Sequence, residues 1–171
     1  IARLAKKSDL PKIMPIFEEA RASMARLGID QWQDGYPFRE DIENDIANHE
    51  SYVLCINRVI VASFAVLLHE DATYRNIVEG EWLTGNTTNY AAVHRVAVSG
   101  SGRRRGLATA LLSYAYDLAM ENRLDALRID THEGNLPMRR TLEKNGFIHC
   151  GTIFLENGNT RVAYEKIVAR E

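Results

Sequence analysis

The sequence predicts a mixed α/β fold, and three features carry that reading. Apolar, β-branched runs pair across short turns at 52–68 and 147–168, while a strand, a glycine-rich loop, an amphipathic helix and a second strand follow one another between residues 90 and 131. Helical apolar spacing fills much of the N-terminal third. With 171 residues, 46% of them hydrophobic, the chain is long enough to bury its own core, so residues 1–171 read as a single domain.

The elements follow in order. Ala2 to Ala5 alternates apolar and polar residues, and Ser8-Asp9-Leu10-Pro11 then offers a helix start with proline in the first turn. Ile13, Phe17, Ala20, Met24 and Leu27 keep helical spacing as far as Gly28, with Pro15 predicting a kink or a late start. The stretch 29–36 is rich in turn formers and aromatics. It reads either as a substrate lip or as a staple in which Trp32 and Tyr36 fix helices to the sheet. Arg39 to His49 reads as a helix burying Ile42 and Ile46, and Tyr52–Ile56 with Val59–Leu68 as a hairpin turning at Asn57-Arg58.

A long polar loop, 69–89, carries Glu79, Glu81 and Trp82; loops of that length in a compact domain are more often functional than idle. Tyr90–Val98, a helix over Gly106–Asn122 and Ala126–Thr131 form a βαβ unit whose strands should be parallel neighbours. Asn135–Asn145 follows as a helix stopped by Gly146, and Phe147–Leu155 with Thr160–Val168 closes the chain as a hairpin around Asn157-Gly158.

Charge and composition exclude several function classes. Lys plus Arg number 21 against 23 Asp plus Glu, a net charge of -2, which leaves no broad cationic face for nucleic acid or an anionic membrane. Cys55 and Cys150 are too few for a disulfide framework and have no metal-ligand spacing, so no metal is expected and the cytoplasm is the expected compartment. No apolar run approaches the roughly 20 residues of a membrane span.

Chemistry concentrates in Val96-Ala-Val-Ser-Gly-Ser-Gly-Arg-Arg-Arg-Gly-Leu-Ala-Thr109, where a strand leads through a Gly-Ser-Arg loop into a helix N-terminus. The first amides of a helix lack intrahelical partners, and the macrodipole adds positive potential there, so a phosphate suits the position. Arg103, Arg104 and Arg105 suit a ligand with several phosphates. Without Gly-Lys-Ser/Thr the loop is not of the Walker type, and the third glycine of a dinucleotide fingerprint stands one position late, at Gly106.

The remaining pattern, Arg103-x-x-Gly106-x-Ala108, resembles the acetyl-coenzyme A signature of the GNAT superfamily of N-acetyltransferases. The second block of that family is also matched, by Asn135 and by Leu142-Glu-Lys-Asn-Gly146-Phe147. The resemblance implies a central bent, mostly antiparallel sheet of about seven strands with helices on both faces, in which the strands ending at Val98 and Thr131 splay to admit the cofactor. It implies acetyl-CoA as cosubstrate and transfer of acetyl to a primary amine by direct attack. Backbone from Arg103 through Gly106, Leu107 and Ala108 to Thr109 would hold the pyrophosphate. Val96, Ala97 and Val98 would pair with the pantetheine arm, and Asn135 would contact it, besides being placed to cap its own helix.

Many members carry a tyrosine where this chain has Leu142, as acid for the departing thiolate; Cys150, Tyr164 or water would have to substitute. For the base, Glu81, His94 and His132 are candidates, with Glu81 and His94 preferred. Each also has an ordinary explanation, Glu81 as a solvated carboxylate and His94 as a core histidine sharing a strand face with Val96 and Val98. Acids at 30, 34, 79 and 81 favour a cationic acceptor, a small molecule or a peptide. A homodimer would cover the strand edge left by the C-terminal hairpin. Two other readings stay open: a non-catalytic acyl-CoA-binding module, and a nicotinamide dinucleotide oxidoreductase.

Overall fold

The structure is a computed structural model that describes residues 1–100 and 106–169. Among these residues the elements are β1 (Ala2–Leu4), α1 (Leu10–Arg26), α2 (Arg39–Ala47), β2 (Ser51–Ile56), β3 (Val59–Leu67), β4 (Tyr90–Val98), α3 (Leu107–Glu121), β5 (Ala126–Thr131), α4 (Leu136–Lys144), β6 (Ile148–Phe154) and β7 (Thr160–Ile167). The seven strands form one open, mostly antiparallel sheet in the order β1-β2-β3-β4-β5-β7-β6. The mixed α/β class and the number of strands are those the sequence predicted. Two compact units make up the chain, Ile1–Val66 with His94–Leu111 and Leu67–Val93 with Leu112–Glu171.

In the first unit, β1 and β3 flank β2 in antiparallel register. Asn57 and Arg58 at the tip of the β2–β3 hairpin have φ of 51° and 67°, the two left-handed residues that a tight turn matching strand twist requires. Tyr52 and Phe64 stand opposite each other and stack at 5.7 Å. Helix α1 buries Leu10, Ile13, Ile16, Phe17 and Ala20, a stripe at helical spacing that packs with Ile42 of α2, Val53 of β2 and Ala97 of β4.

Pro15 neither delays nor divides α1, which runs without interruption from Leu10. The carbonyl that loses a donor is that of Pro11, and both prolines lie on the exposed face, where water can satisfy it. At the other end, Gly28 with φ of 72° closes the helix. Gly28 N donates to Ala25 O at 3.0 Å and Ile29 N to Met24 O at 3.0 Å, the paired bonds of a Schellman stop.

In the second unit β4 and β5 run parallel, from Tyr90↔Ala126 to Val93↔Ile129, as the βαβ pattern predicted. β5 and β6 flank β7, both antiparallel to it. Helix α4 opens at Asn135, whose side chain accepts from Met138 N, and stops at Gly146, where Gly146 N donates to Glu143 O and Phe147 N to Leu142 O. The spacing Leu142-x-x-x-Gly146-Phe147 is thus a second Schellman stop. Leu142 and Phe147 are buried at its base.

The segment 69–89 is more than the long polar loop expected. Trp82 is buried in the unit's core with Tyr74, Tyr90, Ala92, Cys150 and Ala163. Val78 bridges Thr152 of β6 through bonds of 2.9 and 2.8 Å, and Gly80 meets the Cys150 carbonyl so closely that a side chain there would collide with backbone. Much of the loop is therefore a wall of the core, with Glu79 and Glu81 on its exposed side.

Candidate active site

In the first unit, β4 delivers His94, Val96 and Val98 half-buried, with Ala97 inserted in the core. Beyond the strand, Ser99 N donates to Val61 O at 2.8 Å and Gly100 N to the Glu19 carboxylate at 2.6 Å. Arg103, Arg104 and Arg105 lie outside the described residues. Gly106 precedes α3 with φ of 68°, and a Cβ there would meet nothing within 4 Å. Left-handed backbone rather than crowding therefore demands glycine at this point. The helix begins at Leu107, one residue later than the sequence suggested, and buried Leu107 fixes its first turn. Ala110 N makes the return bond to Gly106 O at 3.1 Å. The amides of Leu107 and Ala108 precede it, at the positive end of the helix.

Between His94 and Val96 the strand is distorted. Arg95 has φ of 50°, a left-handed conformation that costs a non-glycine residue about 1–3 kcal/mol and persists only when its surroundings hold it. Its guanidinium grips the Asp45 carboxylate in two bonds, Nε to Oδ2 at 2.6 Å and Nη2 to Oδ1 at 2.8 Å, and Nη1 donates to Tyr36 Oη at 2.9 Å. Burial opposes the Arg95 charge, yet Asp45 and Tyr36 raise its pKa above the ordinary arginine value. Burial pushes the Asp45 carboxyl up, while Arg95 pulls it down. The alternation that would have put His94 on one face with Val96 and Val98 does not pass unbroken through such a residue.

The 29–38 segment serves as a staple. Trp32 lies 5.7 Å from Phe17 of α1 and 6.5 Å, edge-on, from Tyr36. Asp34 accepts from Tyr36 N, and Asp30 is exposed.

The second unit holds the other candidates. Asn135 combines its cap with a bond from Nδ2 to Thr131 Oγ1 at 3.3 Å. Tyr164 on β7 is fully buried, its hydroxyl accepting from Arg139 Nε at 2.9 Å and its ring 5.3 Å from His149. Cys150 is buried, donates to Ile148 O at 3.3 Å and has its thiol pKa pushed up by burial, which disfavours a thiolate. Glu81 is exposed at the rim of a cavity of about 460 Å³ lined also by Glu70, Tyr74, Trp82, Tyr90 and Arg128. Cys150 and Tyr164 therefore sit on neighbouring strands, while His94 shares the first unit with Val96–Val98 and Gly106–Thr109.

Sequence reading missed two buried charge clusters, Asp45–Arg95–Tyr36 and Arg128–Glu165–Thr84. Their one sequence signal is an ionisable residue in the middle of an apolar strand, as in Ala126-Leu-Arg-Ile-Asp-Thr131 and Val162-Ala-Tyr-Glu165.

Among the described residues no group of three or more His, Cys, Asp or Glu could hold a metal ion, and no helix is long and apolar enough to cross a membrane. The model of the acetyltransferase (GNAT) family matches residues 14–147, which takes in β4, α3 and the α4 block. The chain belongs to the GNAT acetyltransferase family. A GNAT-family acetyltransferase from Streptococcus agalactiae is 38% identical, with 99% of this chain and 96% of that chain covered and a TM-score of 0.90. Two solved structures share the fold at lower identity. One is a GNAT acetyltransferase from Listeria monocytogenes, 20% identical over 98% of this chain and 94% of that one, with a TM-score of 0.74. The other is a ribosomal-protein-alanine N-acetyltransferase from Brucella melitensis, 17% identical over 98% and 99%, with a TM-score of 0.64. A search of curated proteins finds no match. As a GNAT protein the chain is an acyltransferase, of a family that uses acetyl-CoA and acts on amine acceptors.

Proposed function

We propose that this GNAT enzyme, working as one acetyltransferase domain, transfers the acetyl group of acetyl-CoA to a primary amine on a small molecule or peptide by direct attack. The observation that carries the reading is Gly106, left-handed at the head of α3 in the same unit as Val96, Ala97 and Val98. Bound acetyl-CoA supplies the activated thioester. The amides from Gly106 to Thr109, with Arg103, Arg104 and Arg105, hold its pyrophosphate against the positive helix end. Backbone of Val96, Ala97 and Val98 would pair with the extended arm as an added strand does, and an amide near Val98 would be the donor to its carbonyl oxygen. Asn135 is the further contact.

An alkylammonium has a pKa of about 10, so attack needs a base. His94 is the favoured one, in the unit that holds the cofactor segments, and Glu81 is the second candidate. As the carbon–nitrogen bond forms and the carbon–sulfur bond breaks, one proton leaves nitrogen and one reaches sulfur. Tyr164, fully buried, and Cys150, nearly so, are the side-chain candidates for the second transfer. The Tyr164 oxygen accepts from Arg139, and the Cys150 thiol donates to Ile148 O. Water serves if neither does. A homodimer would use β6, the last strand in the sheet order, which exposes Ile148 and Phe154 and meets Val78 at Thr152.

Amine-dependent release of free thiol from acetyl-CoA across a broad amine panel tests the reading, with His94→Gln and Glu81→Gln separating the bases by the acidic limb of kcat/KM against pH. Saturable binding of acetyl-CoA without turnover of any amine would favour the acyl-CoA-binding module, which Leu142, a core residue at the family's tyrosine position, keeps in view.

A further inference from the structure

We propose that Arg95 is a positioning residue for acetyl transfer, locking the distorted stretch of β4 so that the amides from Val96 to Val98 face the acyl donor. This rests on the cofactor reading above. Three observations in the first unit meet at this residue. Its backbone is left-handed in the middle of a strand, with φ of 50°, where no glycine relieves the strain. Its guanidinium is held at three points by Asp45 of α2, itself only 4% exposed, and by Tyr36 of the aromatic segment. Immediately after it come the residues assigned to the extended arm, with Ala97 seated in the core.

A backbone at that φ would relax towards extended geometry if nothing restrained it, turning the peptide planes that follow. The two-point grip on Asp45 is the restraint. A planar fork fixes direction as well as distance, so the side chain sets the torsion of its own backbone. Asp45 in turn is fixed by α2, whose Ile42 packs in the core of the unit. Tyr36 ties the arrangement to Trp32, which lies edge-on to it, and through Trp32 to Phe17 of α1. The clamp thus links α1, α2 and the 29–38 segment to the stretch of β4 that must be held to within fractions of an ångström for the reaction.

Such a role predicts a split between binding and turnover. The pyrophosphate contacts at α3 lie outside the clamp and only the pairing of Val96–Val98 with the arm lies beside it, so Arg95→Ala should weaken coenzyme A binding by no more than about threefold by calorimetry while kcat falls by about tenfold or more, as displaced transition-state contacts do. Arg95→Gly also lacks the clamp but adopts left-handed backbone freely, so it should recover at least about threefold of the kcat lost by Arg95→Ala. Thermal unfolding of both variants accompanies the kinetics. Should Arg95→Ala fail to fold, Arg95→Lys, which keeps the charge but not the fork, is read in the same way. Wild-type kcat in folded Arg95→Ala or Arg95→Lys overturns the proposal. Equal losses in the Ala and Gly variants, proportional to their loss of folded protein, also overturn it by showing a purely structural ion pair. Gly106→Glu is the companion variant. If it binds coenzyme A undiminished, the cofactor reading itself fails and the proposal with it; if it loses binding while Arg95→Ala turns over normally, the positioning role alone is wrong.

Discussion

Arg128 and Glu165 form an ion pair with almost no solvent access, Nε to Oε2 at 2.7 Å and side chains 2% and 0% exposed. The guanidinium lies between two rings, 4.0 Å from the centroids of both Trp82 and Tyr90. Thr84 gives Glu165 its backbone N–H at 3.1 Å and its hydroxyl at 2.6 Å, while Arg128 Nη2 donates to Thr84 Oγ1 at 3.0 Å. Removing one partner leaves the other charged and buried. Glu165→Ala should therefore destabilise the protein by about 3–5 kcal/mol in urea unfolding, and Arg128→Met combined with Glu165→Leu should cost less than the sum of the single changes. A loss below about 1 kcal/mol for Glu165→Ala would mean that water reaches the pair.

Gly106 allows charge and strain to be separated. Gly106→Ala meets no atom and bears only the left-handed cost of about 1–2 kcal/mol, so coenzyme A binding should persist. Gly106→Glu adds bulk and a carboxylate where a pyrophosphate is expected, and calorimetry should detect no saturable binding. Equal affinities in the two variants would move the phosphate site elsewhere.

Asn135 has two roles that substitution can divide. Asn135→Ala loses the bond to Met138 N and should cost about 1 kcal/mol of stability. Asn135→Ser restores a cap acceptor but is too short to reach as Asn does. Stability regained by Ser while the Kd for coenzyme A stays raised is the expected result. Recovery of both together would reduce Asn135 to a helix cap.

Asp9 sets an acid-side dependence of stability. Its carboxylate accepts from Arg3 at 2.8 and 3.0 Å and from Lys6 N at 2.7 Å, and the Arg3 bond in particular holds its pKa below 3.8 in the folded protein. A lowered carboxyl pKa adds stability that is present above the unfolded value and lost as pH falls through the folded one. Asp9→Asn should accordingly lower the Tm at pH 7 by an amount equivalent to no more than about 1 kcal/mol, and the gap should shrink below pH 3.8. A gap that widens in acid would contradict the assignment.

Elements defined by local pattern were legible in the sequence. The hairpin at Asn57-Arg58, the βαβ unit and the helix stops at Gly28 and Gly146 each depend on residues a few positions apart, and turn chemistry and periodicity report such spacing directly. The passage from strand to helix around Gly106 was legible for the same reason. Pro15 misled because the cost of an internal proline depends on where the orphaned carbonyl points, which spacing alone does not tell. Trp82 misled because its partners, Arg128 and Tyr90, are brought to it by pairing of β4 with β5 rather than by sequence neighbourhood. Arg95 carried only the signal of a charged residue within a largely apolar strand. Its partners Asp45 and Tyr36 lie 50 and 59 residues away, and left-handed backbone at an arginine leaves no mark in composition.

The stapling of 69–89 constrains the chain in a way its irregular backbone conceals. Val78 is paired with Thr152, Gly80 is pressed on Cys150, and Trp82 must arrive over Arg128. Three fixed points in five residues leave no slack, so a single-residue deletion or insertion between them shifts the indole off the guanidinium. Length, more than residue identity, is what this segment cannot vary, and natural or engineered variation in it should fall outside 78–82.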